Sequence, residues 1–131
     1  MGDRGQVMLE YRNGKTIYLY THWSATELAQ NVREALAKKE RWDDDEYLAR
    51  IIFCQMLKNG YKTPEEALND CLSYGISTIP HSDIWREVKI SLPDQTVEVI
   101  SSGYGDVPDK TLFKGTFAQF VETDKPFTEE E

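Results

Sequence analysis

The feature that most limits this chain is Asn13-Gly14, set between the alternating runs QVMLEY and TIYLYT. An Asn-Gly pair flanked by β-branched and aromatic residues specifies a tight hairpin, because both residues tolerate the left-handed backbone such a turn needs. With Asn13 and Gly14 as a two-residue loop, Arg12 faces Lys15, Leu9 faces Tyr18 and Val7 faces Tyr20. That register puts Val7, Leu9, Tyr11, Tyr18, Tyr20 and His22 on one face, and Met8, Ile17, Leu19, Thr21 and Trp23 on the other. Both faces are apolar toward the open end, so the hairpin is expected to lie inside a larger sheet.

Ser24-Ala25-Thr26-Glu27 has the pattern of a capping box and opens a first helix with Leu28, Val32 and Leu36 on one stripe. Trp23 precedes the cap, where it is placed to staple against Leu28. RWDDDEYLARIIFCQMLKNGY predicts a second helix, capped by Asp43 or Asp44 and stopped by Asn59-Gly60. Leu48, Ile51, Ile52, Gln55 and Met56 share one face, which Tyr47, Cys54 and Leu57 widen. An apolar surface of that width is expected to be buried on more than one side. TPEEALNDCLSYG predicts a short third helix with Thr63 as cap and Pro64 in its first turn, and Cys71 in the core beside Ala67 and Leu68.

The last third returns to strands. GISTI, WREVKIS and TVEVI alternate, the last two joined at Pro93-Asp94, and TLFKG adds one more. TFAQFVE closes as a helical turn capped by Thr116, burying Phe117, Phe120 and Val121. The order ββ-αα(α)-βββ-α predicts an α+β fold: a mostly antiparallel sheet of the hairpin and the C-terminal strands, with two to three central helices on one face. Residues 1–123 are expected to form a single domain, and 124–131 an acidic, flexible tail.

The net charge of −8 is uneven: residues 1–40 carry six Lys/Arg against five Asp/Glu, and residues 41–131 carry nine against eighteen. A duplex-binding protein needs a basic footprint to displace phosphate counterions, so duplex nucleic acid is not an expected partner. A basic protein partner suits the acidic portion, and a homodimer stays open. No secretory signal or membrane-spanning run is visible, which sets a cytoplasmic location and no membrane as the expectation. No cofactor or metal is expected: DDDE lacks the alternating spacing and central glycine of a calcium loop, and neither histidine has a ligand-spaced neighbour.

The blocks MGDRGQV, YLYTHW, RWDDDEYLARIIF and YGIST resemble the recurring motifs of a family of small bacterial and phage proteins of unassigned activity. The resemblance covers residues 1–79 and thins beyond them. In that family two glycines often follow the Tyr-Leu-Tyr-Thr-His-Trp segment, where this chain has Ser24-Ala25, and Ser73 stands where a further glycine is usual. Matched residue by residue, the resemblance singles out Asp3, Arg4, His22, Trp23, Arg41, Trp42, Asp43, Tyr47, Arg50, Tyr74 and Gly75.

The hairpin brings the segment before its first strand to the end of its second. If the helices fold back on the sheet, Asp3, Arg4, His22, Trp42 and Asp43 can gather in one polar-aromatic cluster. Two function classes follow. The first is a non-enzymatic protein-interaction module, an inhibitor or adaptor, with Arg4, Trp23, Arg41, Trp42 and Tyr74 as candidate binding residues. The second is a small-ligand-binding protein or hydrolase in which His22 is the base and Asp3 or Asp43 orients it. The interaction reading is preferred for the chain's small size, its acidity and the absence of a catalytic constellation, and the cluster itself reads first as an ion-paired corner fixing the hairpin to the helix pair, because motif and charge clusters are more often architecture than chemistry.

Overall fold

In a computed structural model, which describes residues 3–70, 73–103, 106 and 108–123, the chain forms one six-stranded sheet and four helices. The elements run β1 (Gly5–Glu10), β2 (Thr16–Thr21), α1 (Ala25–Ala37), α2 (Asp45–Gly60), α3 (Pro64–Asn69), β3 (Tyr74–Ser77), β4 (Arg86–Ser91), β5 (Thr96–Ser101), β6 (Lys110–Thr116) and α4 (Phe117–Glu122). This is the expected α+β architecture. Strand order is β3-β2-β1-β4-β5-β6, antiparallel throughout except that β1 and β4 pair in parallel at the centre. Cys71 and the tail 124–131 lie outside the described residues.

The hairpin register differs from the two-residue reading by one position. Leu9 faces Ile17, Met8 faces Tyr18 and Val7 faces Leu19. The Tyr11 N–H donates to the Lys15 carbonyl at 2.8 Å and the Gly14 N–H to the Tyr11 carbonyl at 3.0 Å, so the loop is Arg12-Asn13-Gly14. Only Gly14 takes a positive φ, 85°. A three-residue loop ending in a left-handed glycine suits the strand twist as well as the two-residue turn does, and an Asn-Gly pair is compatible with both. The slip reassigns β2: Leu19 and Thr21 share the helix-side face with Val7 and Leu9, and Tyr18, Tyr20 and His22 turn outward.

The core lies between this face and the helices. Val7, Leu9, Leu19, Val88, Ile90, Val97 and Val99 of the sheet meet Leu28, Val32, Leu36, Leu48, Ile52, Met56, Phe117 and Phe120 of the helices. Gly5 is required where α1 meets β1, since a Cβ there would lie 2.8 Å from both the Ala25 Cβ and the Arg86 carbonyl oxygen. Thr116 forms a full capping box with Gln119 at the start of α4. Phe117 and Phe120 are buried as expected, and Val121 only partly.

Three sequence expectations for the helices are corrected. Ser24 is the N-cap of α1, but its side chain makes no capping bond. Asp3 supplies that bond instead, accepting from Thr26 N at 2.9 Å and Thr26 Oγ1 at 2.7 Å. Trp23 makes no staple: it is 58 % exposed, its edge contact being with His22 at a centroid distance of 4.4 Å. Asn59-Gly60 is not a left-handed stop, because α2 runs through Gly60 into an extended Tyr61. Gly60 instead makes room for Tyr74, whose Cζ would sit 2.8 Å from an added Cβ.

Candidate functional site

The structure divides the sequence-derived cluster between opposite ends of the sheet. Asp3, Arg4, His22 and Trp23 sit where β1 and β4 begin and β2 ends. Arg41, Trp42 and Asp43 sit at the other end, beside the hairpin loop and the β4–β5 turn. There Arg12 reaches Asp43 at 3.7 Å, and Gln95 Nε2 donates to Asp43 Oδ1 at 2.9 Å.

At the first end Asp3 and His22 are committed to architecture, whereas Arg4 Nε is buried without a hydrogen-bond partner among the described residues and Trp23 is exposed. Both Asp3 oxygens are occupied, one by Thr26 and the other by Trp85 Nε1 at 2.6 Å. Trp85 thus emerges as a partner that local sequence reading missed. The Arg4 carbonyl accepts from Trp85 N at 3.0 Å. His22 Nδ1 shares a 2.9 Å hydrogen bond with the Tyr20 hydroxyl, and its backbone N–H donates to the Ser73 carbonyl. Among the described residues His22 makes no hydrogen bond to Asp3 or Asp43, so the geometry that would orient a histidine base is not assembled. His81 stacks on the other ring neighbour, Tyr20, at 4.1 Å, and its N–H donates to Gln6 Oε1, holding the β3–β4 connection on the outer sheet face.

Tyr74 is a joint between elements. Its hydroxyl lies 3.4 Å from Ser24 Oγ and its ring meets Tyr61 edge-on at 5.4 Å. Trp42 is likewise structural: its Nε1 donates to the Leu36 carbonyl at 3.2 Å and its ring meets Phe117 at 5.3 Å. Asp44, one of the two expected caps, accepts from Tyr47 N at 3.1 Å. Arg12 grips the first turn of α2 by an ion pair with Asp45, its backbone N–H donating to the same carboxylate at 2.8 Å.

What the fold leaves open is the side of α2 turned away from the core. The expectation that this broad apolar helix is buried on more than one side is not met. Leu48, Ile52 and Met56 are fully buried in the core, whereas Tyr47 and Cys54 are exposed and Ile51 and Leu57 only half-buried. Cys54 was expected among core residues; it is instead at the centre of this face. Leu68, expected beside a buried Cys71, is 76 % exposed because α3 is too short to bury any of its six residues. Ile76 on the edge strand β3 is 62 % exposed.

Two grooves of about 550 Å³ each meet at Cys54 and Lys58. One runs toward Lys38, Tyr47 and Ile51, the other toward Leu57, Tyr61 and Leu68. A smaller hollow of about 230 Å³ on the other flank is lined by Phe53, Cys54, Ile17 and Ile76. Above Tyr47 lie two guanidinium groups, Arg41 with its Cζ 4.5 Å and Arg50 with its Cζ 4.9 Å from the ring centroid. Such cation–π contacts position both arginines at the rim. Neither has a carboxylate at ion-pair distance among the described residues. Arg41 is aimed by a strained connection, with Lys39 at φ 55° and Arg41 at φ 62°. Arg41, Tyr47 and Arg50 all lie within the segment RWDDDEYLAR. Lys58 and Leu68 went unrecognised in the sequence. The usable signal was Tyr47, Ile51, Cys54 and Lys58 at successive helical turns opposite Leu48, Ile52 and Met56.

The outer sheet face has a second depression of about 360 Å³ floored by Met8. Across it Lys89, Glu98 and Lys114 alternate in sign on neighbouring strands, so the face compensates its own charge. Among the described residues no group of three or more His, Cys, Asp or Glu side chains converges as a metal site would require, and no helix is long and apolar enough to cross a membrane. Among the described residues, Tyr61 and Tyr11 have shifted ionisation. Tyr61 is pushed above the usual phenol value by burial, against an opposing pull from its hydrogen bond to Ser73, with Asp70 and then Tyr74 adding to the rise. Tyr11 is raised by burial and then by the charges of Glu46 and Asp45. Compared with protein-family models, with curated proteins and with solved structures, the chain matches none.

Proposed function

We propose that this protein is a protein-interaction module, an adaptor or inhibitor, whose partner docks on the outward side of α2. The observation that supports this reading is the conjunction on one helix face of exposed Tyr47 and Cys54, half-buried Ile51 and Leu57, and two grooves that meet between them. A surface helix that only encloses a core turns a polar face to water. An apolar seam with a charged rim is the usual anatomy of a recognition surface, in which aromatic and arginine side chains carry a disproportionate share of the binding energy.

The experiment is affinity capture from the native host with the wild-type chain and three variants, Tyr47→Ala, Arg50→Glu and Trp23→Ala. Trp23 is exposed at the far end of the sheet and serves as a control for an unrelated aromatic surface. The reading predicts that the captured protein is lost with the two α2 variants and kept with Trp23→Ala. Retention by both α2 variants would contradict it.

A further inference from the structure

We infer that the partner segment is an acidic amphipathic helix that lies along α2, its apolar residues in the grooves and its carboxylates held by Arg41 and Arg50. This rests on the reading of α2 as the docking face and adds the chemistry of the occupant.

Tyr47, Ile51, Cys54 and Lys58 follow one another at helical spacing, so the seam is straight and parallel to the α2 axis, and it extends over roughly 16 Å. A straight seam between helical ridges is what a second helix packs into, with anchors at i, i+4 and i+7. An added strand would instead engage the β3 edge and leave the grooves on the far flank of α2 empty.

Charge decides the sign of the occupant. The two grooves are bordered by Lys38, Arg50, Lys58 and Lys62 against a single carboxylate, Glu40. The Arg41–Tyr47–Arg50 stack adds a fifth cation. In a chain of net charge −8, this is a local reversal of sign, and whole-chain charge alone would have pointed to a basic partner. Two guanidinium groups held over one ring, without carboxylates of their own, present donors suited to an incoming Asp or Glu. The same charge argues against a second copy in this place, because a twofold contact sets each cationic rim against its own equivalent.

The test is selection of short helical peptides from a randomised display library on the full-length protein, with alkylation of Cys54 followed by mass spectrometry. Cys54 lines both grooves, so any occupant slows its reaction. The expected binders are net negative, carry apolar residues at i, i+4 and i+7, protect Cys54, and bind the Arg41→Glu/Arg50→Glu variant at least about tenfold more weakly. Both arginines are exposed, so an unchanged melting temperature is required of that variant as evidence of folding, and Arg41→Gln/Arg50→Gln is read beside it. Basic or neutral binders that protect Cys54 would overturn the acidic helix and leave the docking face standing. A selection that enriches no Cys54-protecting peptide would overturn the docking face as well. A concentration-dependent dimer abolished by Arg50→Glu would assign the face to a second copy and refute the inference.

Discussion

Replacing Asp3 by alanine removes three hydrogen bonds at once and tests whether this carboxylate is architecture. Its Oδ2 caps α1 by accepting from Thr26 N at 2.9 Å and from Thr26 Oγ1 at 2.7 Å, and its Oδ1 accepts from Trp85 Nε1 at 2.6 Å. Loss of a helix N-cap costs about 1 kcal/mol. A hydrogen bond to a charged group contributes about 1.5–3 kcal/mol, and half-buried Trp85 belongs at the lower end of that range. The backbone bond from Ala25 N to the Asp3 carbonyl survives the substitution. Asp3→Ala should therefore destabilise the fold by about 3 kcal/mol, or roughly 10 °C in melting temperature for a chain of this size. Urea unfolding at neutral pH measures the first quantity and calorimetry the second. Asp3→Asn keeps an acceptor at each bond in turn but not the charge, and should cost about half as much. A cycle with Trp85→Phe should show strong coupling, since the double variant loses little beyond Asp3→Ala alone. An Asp3→Ala stability within about 0.5 kcal/mol of wild type would refute the trans-cap account.

Gly60→Ala drives a methyl into the Tyr74 ring and should cost about 1–3 kcal/mol, part of which Tyr74→Phe restores by removing the overlapping hydroxyl; equilibrium unfolding of the single and double variants checks this. Stability should fall in alkali. The fold favours the neutral phenols of Tyr61 and Tyr11, so their contribution is complete below pH 10.0 and lost as pH rises through their raised folded values. Absorbance titration of the tyrosines, with Tyr61→Phe flattening the alkaline limb of the stability curve, is the measurement. His22→Ala gives up one half-buried hydrogen bond to Tyr20 and should cost about 1 kcal/mol in denaturant unfolding; unaltered stability would remove its architectural role. Arg12→Ala frees the hairpin loop from Asp45 and should cost about 1 kcal/mol at low salt, less at high salt, by melting in a salt series.

Where local signals act alone, the sequence and the structure agree. The Thr116 cap, the Thr63 cap with Pro64 behind it, the Pro93-Asp94 turn and the alternation in β4 and β5 each follow from a few neighbouring residues. The departures have physical causes of another kind. Asn13-Gly14 permits two loop lengths, and the choice between them depends on which face of β2 is buried by helices not yet in place. Asp3 displaces Ser24 as the source of the α1 capping bond from 23 residues away, and no local pattern distinguishes a serine that caps from one that has been relieved of the task. The parallel β1–β4 pairing, which joins the two halves of the chain, is equally non-local. At α2 the width of the apolar face was legible and its fate was not. Tyr47, Cys54 and Leu57 read as core residues by type, and only the number of elements available to cover them shows that one flank stays open. The candidate cluster around His22 failed for a related reason: proximity at hairpin ends is legible, but which end of the sheet receives Arg41-Trp42-Asp43 is settled by the direction of α2.

The outward side of α2 is proposed as the place where this protein meets its partner. The most direct measurement is the alkylation rate of Cys54 in the free protein and in the complex captured from the native host, read by mass spectrometry on the Cys54 peptide. Cys54 is exposed in the isolated chain and lies where the grooves converge. Docking on α2 predicts severalfold slower reaction in the complex, with the free rate recovered when Tyr47→Ala or Arg50→Glu prevents capture. An equal rate in the free and captured protein would contradict it.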